Sequence, residues 1–135
     1  MTYPIAQIDG LGPEAIRRLK SLGIRTTEKL LEATSSAKGR KHIAQETGLA
    51  ECDLLAWANL ADCMRIPGMG KAKAELLRAA GVNTVRELAH RNPARLAKAM
   101  EDANRRHKLV RVLPSGQSVA KLIAQAQKLP IKISY

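Results

Sequence analysis

A short stretch of glycine and lysine, IPGMGKAKA at residues 66–74, carries the most suggestive chemistry in the sequence. Two glycines flank one apolar residue, and two lysines follow where a helix is expected to begin. The N-terminus of a helix is partly positive, so a lysine in its first turn costs about 0.3–1 kcal/mol unless an anion lies nearby. The stretch therefore predicts a helix start that binds an anion.

No cluster of residues typical of an active site accompanies this stretch. Carboxylates are not grouped as a catalytic metal requires, and no Ser-His-Asp or Cys-His signature is present. Cys52 and Cys63 lack the close C-x-x-C spacing of zinc sites, and the three histidines are scattered. We therefore predict no enzyme activity, no metal and no cofactor, and expect two buried or idle thiols.

Positive charge is concentrated in the second half of the chain. The net charge is +11; residues 1–65 contain 9 Lys and Arg against 8 Asp and Glu, whereas residues 66–135 contain 14 against 4. A one-sided basic surface is typical of proteins that bind a polyanion, with nucleic acid as the first candidate and an anionic membrane surface as the second. A solvated, highly soluble face would explain the same charge without a ligand.

Length and composition predict one helical domain. A chain of 135 residues is long enough for one core, and we expect a single domain over residues 1–135. Apolar residues make up 45% of the sequence but aromatic residues only 2%, a mixture that favours helices. No stretch reaches the roughly 18 apolar residues of a membrane span, and no signal peptide is recognisable. We expect a cytoplasmic protein without a membrane partner, located at the nucleoid if it binds DNA.

An internal repeat divides the sequence into two units. Residues 8–32 align without a gap on residues 66–90, at an offset of 58 positions. Seven of the 25 aligned positions are identical, which indicates a duplication. The identical pairs are Ile8 and Ile66, Gly10 and Gly68, Gly12 and Gly70, Leu19 and Leu77, Gly23 and Gly81, Thr26 and Thr84, and Leu30 and Leu88. We assign repeat one to residues 8–65 and repeat two to residues 66–131, with seven extra residues in repeat two within 101–116.

Each unit predicts a tight glycine turn, a helix, a glycine stop and a second helix. Gly23 and Gly81 lie where a helix end favours left-handed backbone. Thr26 and Thr84 are suited to cap the helix that follows, and Pro13 fits a first helical turn. Further helices are predicted over residues 51–65, 93–106 and 117–129.

The two ends of the chain are expected to meet. Helix 51–65 precedes the glycine turn of repeat two, but only seven residues precede Ile8 in repeat one. We therefore expect helix 117–129 to take the equivalent place against the first glycine turn and to close the domain. Segments 3–8 and 130–135 would then lie close together, with a short strand pair as one arrangement.

Both glycine turns resemble the helix-hairpin-helix motif. The pattern apolar-x-Gly-apolar-Gly before a helix is similar to the hairpins of DNA polymerase beta, DNA repair glycosylases and helicase subunits. The resemblance implies an all-α fold, with two tandem helix-hairpin-helix repeats in one compact SAM-like domain. It also implies that amides at the start of the hairpin's second helix hold a phosphate of double-stranded DNA, which reads no sequence.

The resemblance assigns DNA-binding residues in both repeats. In hairpin two (residues 66–74), amides near residues 70–72 would face the phosphate, and Ala74 matches the small residue of the motif. Hairpin one (residues 8–16) departs from the motif, because Ile16 replaces the small residue. Pro13 and Glu14 also lie at the helix start, where hairpin two has its lysines. We expect hairpin two to be the main contact and hairpin one to be weaker or structural. The assigned residues are Gly68, Met69, Gly70, Lys71, Ala72 and Lys73 in hairpin two, and Gly10, Leu11 and Gly12 in hairpin one.

A basic run after hairpin two is a second candidate contact, with a solvated loop as the alternative. It contains Arg105, Arg106, Lys108 and Arg111.

Over nearly its full length, the chain also resembles an uncharacterised bacterial family of tandem helix-hairpin-helix proteins, domain of unknown function 4332. The matching stretches are GRKHIAQETG, the W-x-N-x-x-D-x-x-R-I pattern that starts at Trp57, RELAHRNPARL and KLVRVLPS. This resemblance implies the fold but no activity.

Two other functions compete with non-specific DNA binding. Residues 43–58 have the spacing of a helix-turn-helix, but Glu51 and Asp53 begin its second helix and would repel phosphate. We interpret that segment as packing around Trp57. The alternative function is a protein-interaction or scaffolding module without a direct DNA role, whose docking surface would be partly apolar.

Overall fold

The fold is all-helical in a computed structural model that describes residues 2–135. Repeat one contains α1 (Pro13–Ser21), α2 (Thr27–Thr34), α3 (Ala37–Thr47) and α4 (Glu51–Cys63). Repeat two contains α5 (Lys71–Ala79), α6 (Val85–Ala89), α7 (Pro93–His107) and α8 (Gly116–Lys128). A single 3-10 turn, Ile5–Gln7, precedes α1. The predicted all-α class is confirmed.

Side-chain caps and left-handed glycines set the helix boundaries, as the sequence predicts. The Thr26 side chain accepts a hydrogen bond from the Lys29 amide at 3.2 Å, and Thr84 accepts one from Glu87 at 3.0 Å. The turns that follow α1 and α5 each contain a glycine with positive φ, Gly23 at 80° and Gly81 at 93°. The short polar caps therefore satisfy amides that the helices leave unpaired.

The helices of the two repeats correspond in length and in how they end. Helices α1 and α5 both have nine residues, and α4 and α8 both have thirteen. Helices α3 and α7 each end at a left-handed residue, which is Gly48 in repeat one and Lys108 in repeat two. The connection after that residue differs, because α4 begins at Glu51 whereas α8 begins only at Gly116. Repeat two therefore carries a longer α7–α8 loop, residues 108–115.

One apolar core runs through both repeats. Helix α4 packs mainly on α2 and α3, α8 packs mainly on α6 and α7, and α4 also contacts α6 across the two repeats. Side chains such as Leu54, Met64, Ile66 and Leu96 are fully buried, and Trp57 is buried as expected. Aliphatic burial of this kind contributes roughly 25 cal/mol per Å² of apolar surface.

The predicted packing of the last helix against hairpin one is not confirmed. Helix α8 packs mainly on α6 and α7 of its own repeat. Its buried stripe of Val119, Leu122, Ile123 and Ala126 is covered by packing within repeat two. Hairpin one is instead approached by α5, whose Arg78 forms an ion pair with Asp9 at 3.3 Å.

The predicted strand pair between the terminal segments is also wrong. The N-terminal segment pairs with the start of α2, since the Ile5 amide donates to the Arg25 carbonyl at 3.0 Å and the Thr27 amide donates to the Tyr3 carbonyl at 2.8 Å. The C-terminal segment bonds elsewhere, through the Ser134 amide and the Ser35 carbonyl at 2.8 Å. Backbone groups in both segments thus find partners in repeat one, and no β-strand occurs within residues 2–135.

A buried arginine holds the C-terminal segment on repeat one. Arg40 is 5% exposed and donates to the carbonyl of Thr34 at 2.9 Å and to the carbonyl of Ser134 at 2.7 Å. Arg65 adds a hydrogen bond to the carbonyl of Pro130 at 3.1 Å. The last residues therefore join the first repeat, through these side chains and the backbone bond from Ser134 to Ser35, and not by a sheet.

Candidate nucleic-acid interface

Hairpin two is anchored by its apolar residues and displays its glycines. Ile66 and Met69 are fully buried, and the Met69 amide donates to the Ile66 carbonyl at 3.0 Å. Gly68 lies exposed between them with φ of 80°, a conformation that strongly favours glycine. The structure thus places the Met69 side chain in the core, whereas the backbone around it reaches the surface.

The first turn of α5 leaves three amides without a partner. The Gly70 amide donates to the Gly68 carbonyl at 3.1 Å, and the Ala74 amide makes the first helical bond, to the Gly70 carbonyl at 3.0 Å. No side chain caps this helix. Within residues 2–135, the amides of Lys71, Ala72 and Lys73 have no acceptor, so the open donors begin one residue after Gly70.

The fold itself does not require glycine at position 70. Gly70 has φ of −84° and ψ of −175°, which any residue can adopt. A Cβ atom placed there would meet no other atom within 4 Å. Because Gly70 directly precedes the open amides, a glycine here leaves room for a group that approaches the backbone from outside.

Two lysines stand beside the open amides. Lys71 is exposed and lies 4.0 Å from the half-buried Glu75, at the outer limit of an ion pair. Lys73 is half-buried and forms no ion pair with any described residue. Their charge is therefore available to an anion at the helix start.

Hairpin one has the same turn but a different helix start. Gly10 has φ of 81°, and Leu11 is buried like its counterpart Met69. Pro13 provides no amide hydrogen, and Glu14 in the first turn of α1 accepts hydrogen bonds from Arg17 at 2.6 Å and from Arg18 at 3.0 Å. Those hydrogen bonds hold the pKa of Glu14 below its ordinary value.

A carboxylate therefore stays charged at the start of α1. It complements the positive end of the helix and opposes an external anion.

The basic run at the end of α7 divides into one paired cation and three free ones. Arg105 forms ion pairs with Glu101 at 3.3 Å and Asp102 at 3.6 Å. The other three cations, Arg106, Lys108 and Arg111, are exposed and form no ion pair within residues 2–135.

Most of the positive charge in the second half is uncompensated. Among the fourteen lysines and arginines of residues 66–135, ten form no ion pair with the described part of the chain. The four paired residues are Lys71, Arg78, Lys98 and Arg105. The field of this half therefore remains positive in the folded protein.

The buried ionisable groups offer little chemistry. Asp62 accepts a hydrogen bond from Arg65 at 2.6 Å, while burial raises the pKa of Asp62 above its ordinary value. Burial also raises the pKa of Cys63 to about 12, so this thiol is protonated and unreactive at neutral pH. Across residues 2–135, no three His, Cys, Asp or Glu residues are grouped to hold a metal ion. None of the described helices is long and apolar enough to cross a membrane.

Three features of the structure were not predicted from the sequence. The pairing of Arg78 with Asp9 joins residues 69 positions apart, and no local pattern signals it. Asn104 bonds to the backbone of Val110 in both directions, at 3.0 and 3.1 Å. Val112 is 84% exposed, although KLVRVLPS reads as an apolar stretch with basic residues.

By its architecture the chain is an all-helical protein of two matched units, each of which opens with a glycine turn. It belongs to the family described as "Domain of unknown function (DUF4332)", whose profile matches residues 9–129. The predicted family is thereby confirmed. The searches of curated proteins and of solved structures returned no significant match.

Proposed function

We propose that this protein binds double-stranded DNA without sequence preference, through a helix-hairpin-helix contact at hairpin two. The observation that carries the proposal is the open first turn of α5. Its three amides lack acceptors, two lysines flank them, and the preceding Gly70 leaves space in front of them. A helix start of this kind binds the oxygen of a phosphate diester, since the amides and the helix dipole both favour negative charge.

Lack of sequence preference follows from the same contact. Amides and lysine side chains reach phosphate oxygens, which are alike at every base pair. The ten unpaired cations of the second half would add long-range attraction that brings the duplex to the site.

Charge reversal at two matched places tests the proposal. We expect Lys71→Glu with Lys73→Glu to abolish binding to a fluorescent duplex in an anisotropy titration. The control is Lys20→Glu with Lys29→Glu, which changes the same charge on exposed residues of repeat one and should cost little. Equal losses from the two pairs would refute a site at hairpin two.

Salt dependence separates this function from the main alternative. If about four phosphates are contacted, the logarithm of affinity should fall with the logarithm of salt concentration with a slope near −3.6. A protein-docking module would instead depend on apolar surface. One observation favours that alternative, namely the groove of about 930 Å³ between α6, α8 and the C-terminal segment, beside exposed Ile131 and Tyr135. A flat salt dependence would favour docking.

A further inference from the structure

The α7–α8 loop presents apolar side chains to solvent in the middle of the basic run. Val112 is 84% exposed and Leu113 is 36% exposed, and both directly follow Arg111. They are two of the five large apolar residues that the described chain leaves exposed. Exposed apolar surface rimmed by polar residues is typical of contact sites, and here the rim is basic.

This exposure is fixed by the structure of the loop. The Asn104 side chain accepts a hydrogen bond from the Val110 amide at 3.0 Å and donates one to the Val110 carbonyl at 3.1 Å. Lys108 ends α7 in left-handed backbone with φ of 51°, and the Ser115 side chain caps α8. Residues 111–114 lie between these two held points, and we call this segment, with its exposed Val112 and Leu113, the tip.

Repeat one provides an internal comparison. Its corresponding connection, residues 48–50, is short, and its apolar residue Leu49 is half-buried against the core. The exposed tip thus belongs to repeat two alone, the repeat that also carries the excess positive charge.

We propose that Val112 and Leu113 form an apolar wedge that enters a bound DNA duplex from the minor groove, partly unstacks one base step and kinks the helix axis. Arg106, Lys108 and Arg111 then contact the phosphates on either side of the step. Minor-groove proteins open and bend DNA by inserting apolar side chains between base steps, while basic residues contact the groove around them. This inference rests on the proposed function, and it adds that the protein deforms the DNA it binds.

The small apolar area favours DNA over a lipid surface as the occupant. A loop that enters a membrane gains affinity from the apolar area it buries, and here only two side chains are offered. The wedge mechanism needs no larger area, because the cations hold the duplex while the side chains act on one step. Binding to lipid is kept as an outcome of the test.

The test compares the double variant Val112→Ser with Leu113→Ser against the single variant Ile131→Ser. Ile131 lies in another part of the molecule and is 88% exposed, close to the 84% of Val112. Energy transfer between dyes at the two ends of a short duplex measures bending, and anisotropy measures affinity. We expect the wild-type protein and Ile131→Ser to bring the ends together. The double variant should bind at least about tenfold more weakly and leave the duplex straight, since burying even one valine or leucine side chain is worth roughly that factor. Its salt dependence should be unchanged, because every cation is retained.

Each other outcome counts against the wedge. If the double variant bends DNA as the wild type does, or if Ile131→Ser removes the bend equally, the wedge is refuted while DNA binding stands. If the wild-type protein binds no duplex, the proposed function fails first. Vesicles of equal parts phosphatidylcholine and phosphatidylglycerol form a parallel arm, and loss of vesicle binding in the double variant without loss of DNA bending would assign the tip to lipid. Circular dichroism verifies folding, and Val112→Ser alone replaces the double variant if that variant is unfolded.

Discussion

At the scale of single residues, the two glycines of hairpin two have different reasons to be glycine. Gly68 is required by the fold, because its φ of 80° is strained for any other residue. Gly70 has an ordinary backbone conformation and open space around it. No contact within the described residues requires glycine at position 70, so substitution there separates folding from the proposed binding.

We predict that Gly70→Ala changes the free energy of unfolding by no more than about 1 kcal/mol, but weakens duplex binding about tenfold. The added methyl group stands in front of the open amides and costs one hydrogen bond to a charged phosphate, which is worth about 1.5–3 kcal/mol. Denaturant melts and anisotropy measure the two effects. Gly12→Ala is the matched control in hairpin one, where an added Cβ also meets nothing within 4 Å, and it should leave both quantities nearly unchanged. Unaltered affinity in Gly70→Ala would mean that no phosphate approaches these amides.

A second prediction at this scale concerns the buried carboxyl of Asp62. Burial raises the pKa of Asp62 above its ordinary value of 3.8, so between those two values the folded state holds the proton more tightly than the unfolded state. The contribution of this group to stability therefore falls as pH rises through that interval. We expect the unfolding free energy of the wild type, minus that of Asp62→Asn, to fall as pH rises from 3.8 to the folded-state pKa of Asp62. Above that pKa the difference should be flat. A difference that grows with pH would contradict the assigned burial effect.

At the scale of elements, the repeats keep their helices and differ in one connection. Helices α1 and α5, and α4 and α8, match in length, while the α7–α8 loop exceeds its counterpart after α3. Loops tolerate insertions and often carry function on a rigid scaffold. The insertion in this protein lies next to free cations, which is the physical basis for assigning it a contact.

We predict that Asn104→Ala loosens this loop without unfolding the domain. The substitution removes both hydrogen bonds to Val110, which together are worth about 1–3 kcal/mol. Amide hydrogen exchange at Val110 should accelerate. Asn92→Ala removes the cap of α7 instead, so it should lower stability by about 1 kcal/mol while leaving exchange in the loop slow relative to Asn104→Ala. Equal exchange rates at Val110 in both variants would show that the Asn104 side chain does not hold the loop.

At the scale of the whole molecule, the Arg40 side chain joins the C-terminal segment to repeat one. Arg40 lies in α3, is buried, and bonds to carbonyls of Thr34 and Ser134 that are far apart in sequence. Its guanidinium group has donors in a fixed fork, so it can reach two acceptors at once. The C-terminal segment is thereby held against repeat one.

We predict that Arg40→Met destabilises the protein by about 2–4 kcal/mol, because two hydrogen bonds from a charged donor are lost and two carbonyls lose their partner. Arg40→Lys should not restore stability, since a single ammonium cannot reproduce the fork. Lys41→Met, an exposed neighbour, is the control and should change stability by less than about 0.5 kcal/mol. Urea melts measure the stability of all three variants. An unfolding midpoint equal to that of the wild type in Arg40→Met would show that the Arg40 hydrogen bonds do not stabilise the fold.

Local patterns predicted the elements well. The caps at Thr26 and Thr84, the left-handed glycines and the helix boundaries near residues 51, 93 and 117 all follow from interactions within a few positions of sequence. The candidate site was predictable for the same reason, since a glycine turn before a helix fixes its own backbone. Whether that turn binds phosphate is a prediction that the DNA titrations address.

The sequence by itself determined the helical class, the duplicated turn-and-helix units and the location of the positive charge, because each depends on residue type and short spacing. Only the tertiary structure decided that α8 stays in its own repeat, that Arg78 reaches hairpin one, and that Arg40 holds the C-terminal segment. The contacts of Arg78 and Arg40 join residues distant in sequence. They are selected by which apolar faces and unpaired carbonyls the folded chain brings together, and that choice is made by the packing of the complete molecule.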